Sequence, residues 1–246
     1  MLRIRLLAAS ALIGTLVSVT NVSAAGARSA CAELDGNVQA GNVCNVFLAT
    51  PAYTVDLRFG TDYPDDQAVA AFLSQKRDGV ISAATRPGAQ NLPYEINVMS
   101  ESWSSGQRIG TTQAQLGHGP PPHATESLVL HLDETGNPAG PFGFHYKTFN
   151  YDLNQNRPIT FANLFAPGAN AIDAMYPMIA ADLQRQLLYR NFTLTPAVGH
   201  DPSHYQNFAI TDDALIVFFA AGELLSQEAG DLRVYLPRAA LPPLQL

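Results

Sequence analysis

The alternation of hydrophobic and polar residues is clearest between residues 205 and 234. Phe208 and Ile210 alternate with small or polar neighbours, a turn-forming Thr-Asp-Asp run occupies residues 211–213, and residues 214–219 are continuously apolar. This pattern predicts a β-hairpin whose second strand is buried on both faces. Such a strand requires a neighbouring strand and a covering helix. The side chains expected in its core are Phe208, Ile210, Leu215, Val217 and Phe219.

Two other stretches have the spacing of amphipathic helices. The first follows a predicted cap at residues 63–66, and its polar residues 75–78 face away from the apolar stripe. In the second, Pro177 interrupts the pattern because proline lacks the backbone N–H that a helix interior uses. We therefore expect the second helix to begin near Pro177 or to kink there. The first stripe is Val69, Phe72, Leu73, Val80 and Ile81, and the second is Ile172, Met175, Ile179, Leu183 and Leu187.

Strand-like alternation recurs in the rest of the chain. One such segment covers residues 53–59, and three more begin near residues 94, 128 and 142. The last three are separated by a loop and a turn, which predicts an antiparallel meander. Because the order strand, helix, strands occurs once in each half, we expect an α+β protein with antiparallel or mixed sheets packed against two main helices. Its expected parts are an N-terminal lobe of residues 25–143 and a C-terminal lobe of residues 144–246.

The first 24 residues have the features of a secretory signal peptide. Arg3 and Arg5 form a basic start, residues 6–19 are apolar, and small residues precede the expected cleavage site after Ala24. This apolar run is shorter than the roughly 20 residues that a membrane-spanning helix needs, and no later stretch approaches that length. We therefore expect a secreted protein without a transmembrane anchor.

The net charge of the mature chain indicates which classes of molecule are favourable binding partners. Cleavage would remove two arginines and no acidic residue, which leaves 12 basic and 21 acidic side chains and a formal charge of −9. Nucleic acid is an unfavourable ligand for a chain this acidic, since both are negatively charged. The same charge would steer a basic protein toward the chain. We expect the mature protein, about 220 residues long, to be a monomer with a core of its own.

Cys31 and Cys44 are the two cysteines of the chain. In an exported protein such a pair indicates a structural disulfide in preference to a redox or metal site. The bridge would hold the mature N-terminus to the body of the protein.

The loop from Gly106 to His123 is rich in glycine and proline and has no regular pattern. Loops of this length are uncommon in compact domains unless they are functional or disordered. We interpret the loop as a partner-binding surface, with a flexible insertion as the alternative. The residues expected to contribute are Gly106, Gly110, Leu116, His118, Pro120, Pro121, Pro122 and His123.

The six histidines do not form a metal-binding motif. They fall into a loop pair, a pair around Pro202 and a pair on two predicted strands. A His-x-x-x-His spacing brings two imidazoles together only on a helix, and Pro202 interrupts one there. The three pairs are His118 with His123, His200 with His204, and His131 with His145. We predict no metal site.

Other catalytic signatures are also missing from the sequence. There is no Gly-x-Ser-x-Gly nucleophile elbow, no phosphate-binding loop and no dinucleotide fingerprint. A glycosidase needs only a pair of facing carboxylates, and the sequence does not exclude such a pair. The candidates Glu95, Glu101 and Glu126 lie on predicted strands, but alternation predicts that their side chains face solvent. The sequence therefore predicts no catalytic residue and no cofactor.

A series of short motifs along the mature chain resembles the secreted mycobacterial immunogenic antigens used in tuberculosis diagnosis. From about Phe144 onward, the chain also resembles the extracytoplasmic domain of the lysozyme-sensing anti-sigma factor RsiV. The motifs that carry the first resemblance are Cys31-Ala-Glu-Leu, Cys44, Thr50-Pro-Ala-Tyr53, Tyr63-Pro64, Ala83-Ala84, Pro93-Tyr94-Glu95, Tyr146-Lys147-Thr148-Phe149, Arg157-Pro158-Ile159-Thr160, Asp201-Pro202, Tyr205-Gln206-Asn207-Phe208-Ala209 and Gly222-Glu223-Leu224-Leu225.

The resemblance implies a β-grasp-like α+β fold, secretion, antigenicity and binding to other macromolecules, and it brings no established catalytic residues. One departure is that related domains carry a Gly-Gly-x-His element where this chain has residues 139–142, Ala-Gly-Pro-Phe. We expect a secreted, non-enzymatic binding protein that acts on an unidentified host or cell-envelope partner, such as a basic protein. The alternative is a cell-envelope hydrolase or a related peptidoglycan-active enzyme.

Overall fold

A computed structural model describes residues 29–89, 93–106, 125–136, 143–188 and 192–246. The predicted signal peptide lies outside the described residues. The strands are β1 (Asn37–Gln39), β2 (Val43–Ala49), β3 (Tyr53–Gly60), β4 (Tyr94–Ser105), β5 (Thr125–Thr135), β6 (Gly143–Asp152), β7 (Arg157–Ile159), β8 (Phe208–Ile210), β9 (Ala214–Phe219) and β10 (Leu232–Pro237). The α-helices are α1 (Ala30–Glu33), α2 (Asp66–Thr85), α3 (Phe161–Leu164), α4 (Ala171–Gln186) and α5 (Pro196–Gly199), and 3₁₀ turns occupy Pro202–Tyr205, Gln227–Ala229 and Arg238–Ala240.

Seven strands form the larger sheet, in the spatial order β1 to β7. All neighbours in it are antiparallel except β3 and β4, which are parallel and are connected through α2. Helix α2 begins where predicted, since the Asp65 carboxylate caps it by accepting a hydrogen bond from the Ala68 N–H. Its apolar stripe packs on one face of this sheet, with Val69, Leu73 and Val80 buried. The predicted antiparallel meander of three strands is confirmed as β4, β5 and β6, and β7 adds a further antiparallel strand.

Three strands form the smaller sheet, in the order β10, β9, β8. The predicted hairpin is confirmed as β8 and β9, joined by residues 211–213. The required neighbouring strand is β10 and the covering helix is α4, whose Met175, Ile179 and Leu183 are buried. All five side chains expected in the core belong to one buried cluster with this helix, and these are Phe208, Ile210, Leu215, Val217 and Phe219.

The second face of the smaller sheet packs on the larger one through Ala209, Ile216 and Phe218, which contact Val129. The layers are therefore helix α2, large sheet, small sheet and helix α4. The outer edge of β8 would leave backbone groups unpaired, but side chains of β5 and β6 complete its hydrogen bonds. The Ile210 N–H donates to Ser127 Oγ at 3.1 Å, the Phe208 N–H donates to Thr148 Oγ1 at 3.2 Å, and the Asn150 amide donates to the Phe208 carbonyl at 2.9 Å.

The expected α+β class is confirmed, with a seven-stranded mixed sheet, a three-stranded sheet and two main helices. The β-grasp arrangement that the resemblance implies stays a prediction. The division into two lobes between residues 143 and 144 also stays a prediction. The predicted boundary falls at the start of β6. Among the described residues, no helix is both long and apolar enough to cross a membrane.

Of the two alternatives expected for the second helix, a start near Pro177 is wrong, and a kink at Pro177 stays a prediction. Helix α4 begins at Ala171, so that Pro177 lies in its interior. A proline at this position cannot donate a hydrogen bond to the carbonyl of Asp173, four residues earlier. The burial of Met175, Ile179 and Leu183 explains why the helix tolerates this loss, because one continuous apolar face packs on the small sheet.

The Cys31–Cys44 disulfide is confirmed, with the two Cα atoms 5.5 Å apart. It joins α1 to β2, and the Ala30 N–H donates to the Asp66 carboxylate of α2 at 3.1 Å. Gly36 completes the packing, since a Cβ there would lie 2.6 Å from Cys44 Sγ.

We expect replacement of both cysteines by serine to lower the free energy of unfolding by about 3 kcal/mol, because the bridge restricts the unfolded chain. Denaturant unfolding of the oxidised wild type and of the double variant measures this difference. Equal midpoints, or two reactive thiols in the unfolded, non-reduced wild type, would contradict it.

Candidate functional site

An open pocket of about 400 Å³ lies at the N-terminal end of helix α4. This volume is within the range of small-molecule sites. Polar and apolar atoms contribute about equally to its exposed wall. Phe161 and Phe165 meet edge to face in it with ring centroids 5.9 Å apart. The residues that line it are Phe161, Ala162, Phe165, Ala166, Pro167, Gly168, Ala169, Asn170, Ala171, Ile172, Asp173 and His200.

His200 is the one imidazole among these lining residues, and the chain holds it in a defined orientation. It follows α5, which begins at Pro196 and is capped by the Thr195 hydroxyl. The His200 Nδ1 atom lies 2.7 Å from the Pro196 carbonyl oxygen, which also accepts the His200 backbone N–H at 3.0 Å. A carbonyl oxygen only accepts hydrogen bonds, so Nδ1 carries the proton and Nε2 of the neutral ring has a free lone pair.

Asp173 lies next to this lone pair, in the first turn of α4. Its Oδ1 atom is 3.5 Å from His200 Nε2, and the two side chains are 68% and 40% exposed. A carboxylate oxygen and an unprotonated nitrogen are both acceptors, so the two groups attract each other only when the ring is the protonated imidazolium. The α4 N-cap, Asn170, has φ 47° and makes no side-chain capping bond, which leaves first-turn N–H groups without a side-chain partner. The pocket therefore combines a base, a carboxylate and the positive end of a helix dipole.

This combination can activate water. An imidazole with a free Nε2 removes a proton from water, and backbone N–H groups at a helix N-terminus stabilise negative charge that develops on a nearby oxygen. Among the described residues, no serine or cysteine lines the pocket.

The other histidines in the described part of the chain do not combine into a site. His131 and His145 lie on the paired strands β5 and β6 but face opposite sides of the sheet, because the register places Tyr146 opposite His131. His204 lies on a 3₁₀ turn and does not line the pocket. Within the described ranges, no three His, Cys, Asp or Glu side chains are grouped as a metal would require.

Glu101, which alternation predicted to face solvent, is only partly exposed, at 28%. Its carboxylate lies 2.5 Å from the Arg233 guanidinium of β10 and 3.0 Å from His131 Nε2. The Arg233 guanidinium in turn lies 4.8 Å from the ring centroid of Phe218. Alternation along β4 gave the correct face for Glu101, but it could not indicate that a second sheet packs on that face.

The predicted partner-binding loop lies outside the described residues, apart from Gly106. The Gly106 N–H donates to the Asp212 carboxylate at 2.6 Å, in the turn between β8 and β9. The role of the loop stays a prediction.

Sequence reasoning missed Asp173 and considered His200 only as a metal ligand. A local signal was present: Asp173 and Tyr176 are three residues apart on one helix and therefore share a face, and His200 follows a capped Thr-Pro turn. Nothing in the sequence places that helix face beside His200.

A family model described as a protein of unknown function (DUF3298) matches residues 162–239. This segment contains α4, the small sheet and most of the residues that line the pocket. A crystal structure of a DUF3298 family member from Bacteroides fragilis aligns with a TM-score of 0.43 and 11% identity, covering 82% of this chain and 92% of that one.

Named relatives match over almost the whole chain. Esterase Rv3036c of Mycobacterium tuberculosis (strain H37Rv) is 42% identical over 239 residues, which are 96% of this chain and 99% of that protein. Immunogenic protein MPT64 of M. tuberculosis and immunogenic protein MPB64 of Mycobacterium bovis are each 30% identical over 226 residues, covering 92% of both chains. By this similarity, the chain belongs to the family of the mycobacterial immunogenic proteins MPT64 and MPB64.

Proposed function

We propose that the protein is an extracytoplasmic ester hydrolase whose active site is the pocket at the N-terminal end of α4. The observation that carries this proposal is the imidazole of His200, which lines the pocket and whose Nδ1 atom is held by the Pro196 carbonyl, so that Nε2 of the neutral ring is free. The 42% identical relative is named as an esterase, which favours esters among the groups that such a base hydrolyses. The disulfide supports the compartment, because such bridges persist in oxidising surroundings.

In this mechanism, His200 Nε2 takes a proton from water as the water oxygen bonds to the ester carbonyl carbon. The negative charge that forms on the carbonyl oxygen lies near the first-turn N–H groups of α4, beginning at Ala171. The bond from carbon to the alkoxy oxygen then breaks, and His200 returns its proton to the departing alcohol. Asp173 stabilises the imidazolium of the intermediate state, since opposite charges at this separation attract. The products are a carboxylic acid and an alcohol.

A second candidate function is binding without catalysis, as the sequence alone predicts. Large apolar side chains on one face of the large sheet support this function. They lie on the part of that face that the small sheet does not cover. Phe47 is 62%, Met99 64% and Phe144 59% exposed. Phe47 and Phe144 also belong to one cross-strand row, since the register links them through Asp56, Asn97 and Asp133. The polar residues between Phe47 and Phe144 separate them, so these side chains support binding as single contact points and not as one contiguous apolar patch.

The ester hydrolase proposal predicts that His200→Gln loses activity while the fold is kept. Loss of a general base lowers kcat/KM by about 100-fold or more, and we expect this loss in hydrolysis of p-nitrophenyl acetate by the purified mature chain. Glutamine keeps a polar side chain of similar size, and circular dichroism checks the fold.

The matched control is His204→Gln, because His204 lies close in sequence and does not line the pocket. We expect it to retain wild-type activity. Wild-type protein that turns over no ester above the buffer rate, or a His200→Gln variant with undiminished kcat/KM, would refute the hydrolase assignment. In that case the binding function is the better account.

A further inference from the structure

We propose that Tyr176 and Gly199 are positioning residues that hold the His200 imidazole as the Nδ1–H tautomer, with Nε2 directed at Asp173. The inference rests on the proposed function for its catalytic consequence, but the tautomer itself is measured without any substrate.

Tyr176 supplies one face of the imidazole environment. Its ring centroid lies 4.5 Å from that of His200, with the two planes inclined by 38°. Asp173 is three residues earlier on α4, so one helix face carries both the carboxylate near Nε2 and the ring against which the imidazole packs. The imidazole, which is 40% exposed, therefore contacts the Pro196 carbonyl through Nδ1 and this face of α4 through its ring.

Gly199 permits this arrangement because it has no side chain. A Cβ atom at residue 199 would overlap the Tyr176 ring, at Cδ2 and Cε2, and would also lie 3.3 Å from the Leu194 side chain. The residue before His200 must therefore be glycine for the Tyr176 ring to lie where it does. An alanine would displace either the ring or the turn that carries His200.

Two tyrosine hydroxyls anchor the same turn. Tyr176 Oη donates to the Leu194 carbonyl at 3.3 Å, and Tyr205 Oη donates to the Gly199 carbonyl. Burial raises the pKa of Tyr205 to about 12, so its hydroxyl keeps its proton and stays a donor over the physiological range. The backbone on both sides of α5 is thus attached to side chains of the core.

The position of the imidazole decides its chemistry. A neutral histidine has two tautomers, and the hydrogen bond made by one nitrogen decides whether the other is free to act as a base. Without the Tyr176 ring, the imidazole could rotate away from the Pro196 carbonyl, and Nε2 could become the protonated nitrogen. Misplacement of a catalytic group by about 1 Å costs on the order of 100-fold in rate.

The test compares Tyr176→Phe with Tyr176→Leu. Phenylalanine keeps the ring and loses the hydroxyl, whereas leucine loses the ring. In ¹⁵N-labelled protein at a pH where the imidazole is neutral, spectra that correlate ring nitrogens with ring protons report the His200 tautomer. We expect Nδ1–H in the wild type and in Tyr176→Phe, and a mixture of tautomers in Tyr176→Leu. For ester hydrolysis, we expect Tyr176→Leu to lower kcat roughly 10- to 100-fold, with KM within about 2-fold of the wild-type value.

Gly199→Ala should reproduce the Tyr176→Leu result, and Gly79→Ala is its control, because a Cβ at Gly79 in α2 meets nothing within 4 Å. A single Nδ1–H tautomer in Tyr176→Leu would overturn the positioning role, even if the variant were less stable. If the tautomer shifts as expected but the wild type hydrolyses no ester, the positioning role stands and the hydrolase assignment fails. Should Gly199→Ala not fold, the two Tyr176 variants still decide the question.

Discussion

Replacing Phe219 by alanine is expected to lower the free energy of unfolding by about 3 to 5 kcal/mol, the range for a buried aromatic side chain. Phe219 ends the central strand of the small sheet, is 0% exposed, and lies opposite Leu232 of β10. Its ring meets that of Tyr205 edge to face at 6.1 Å. Both faces of the small sheet are covered, so the cavity left by the ring could close only if α4 moved.

Denaturant unfolding followed by circular dichroism measures this loss. Phe144→Ala is the matched control, because Phe144 is an aromatic strand residue that is 59% exposed. We expect Phe144→Ala to change stability by less than about 0.5 kcal/mol. Similar losses in the two variants would mean that the small sheet is not the closed core described above.

The second large effect is expected at Lys76. Glu134 of β5 is 1% exposed, and its carboxylate lies 2.5 Å from the Lys76 ammonium of α2 and 3.5 Å from His145 Nε2. Lys76→Met would leave this buried carboxylate without its main counter-charge. Removing one partner of a buried ion pair costs about 3 to 5 kcal/mol, and we expect about 3 here because Lys76 is partly exposed.

The stabilisation that Glu134 provides should depend on pH. Burial by itself raises the pKa of Glu134, but hydrogen bonds from His145 and Lys76 and the charges of these two groups outweigh it, so the pKa is lower than the ordinary 4.5. A carboxyl group whose pKa is lower in the folded state stabilises the protein above its unfolded-state pKa, and this stabilisation is lost as the pH falls through the folded-state pKa. The stability difference between wild type and Glu134→Gln should therefore be largest above pH 4.5 and shrink below it.

The test is a set of unfolding curves of wild type, Lys76→Met and Glu134→Gln, measured at pH values above and below 4.5. Lys147→Met is the control, since its ammonium lies over the Phe72 and Phe149 rings, 5.9 Å and 5.2 Å from their centroids. Loss of these contacts should cost about 1 kcal/mol or less. A stability difference for Glu134→Gln that grows as the pH falls below 4.5 would contradict the sign of the pKa shift.

The local pattern of the chain was enough to predict several of its elements. The hairpin around residues 211–213, the helix capped at Asp65 and the apolar stripe through Met175 and Ile179 all agree with the structure. Each of these depends on the spacing of apolar side chains, which is a property of a short segment. The pairing of Cys31 with Cys44 was likewise predictable, because the chain has only two cysteines.

The candidate site depends on contacts between distant segments, which no local pattern contains. His200 becomes a possible base only because α4 runs through Pro177 and packs on the small sheet, which brings Asp173 and Tyr176 to the imidazole. The contact between Glu101 and Arg233 has a similar origin, because the small sheet packs on one end of the large one. Alternation along β4 could not indicate this packing. The sequence by itself determined the position of the hairpin, of helix α2 and of strands β3 to β6, and which side chains of the hairpin are buried. Only the tertiary structure decided which polar side chains meet, because the packing of one layer on another sets those distances.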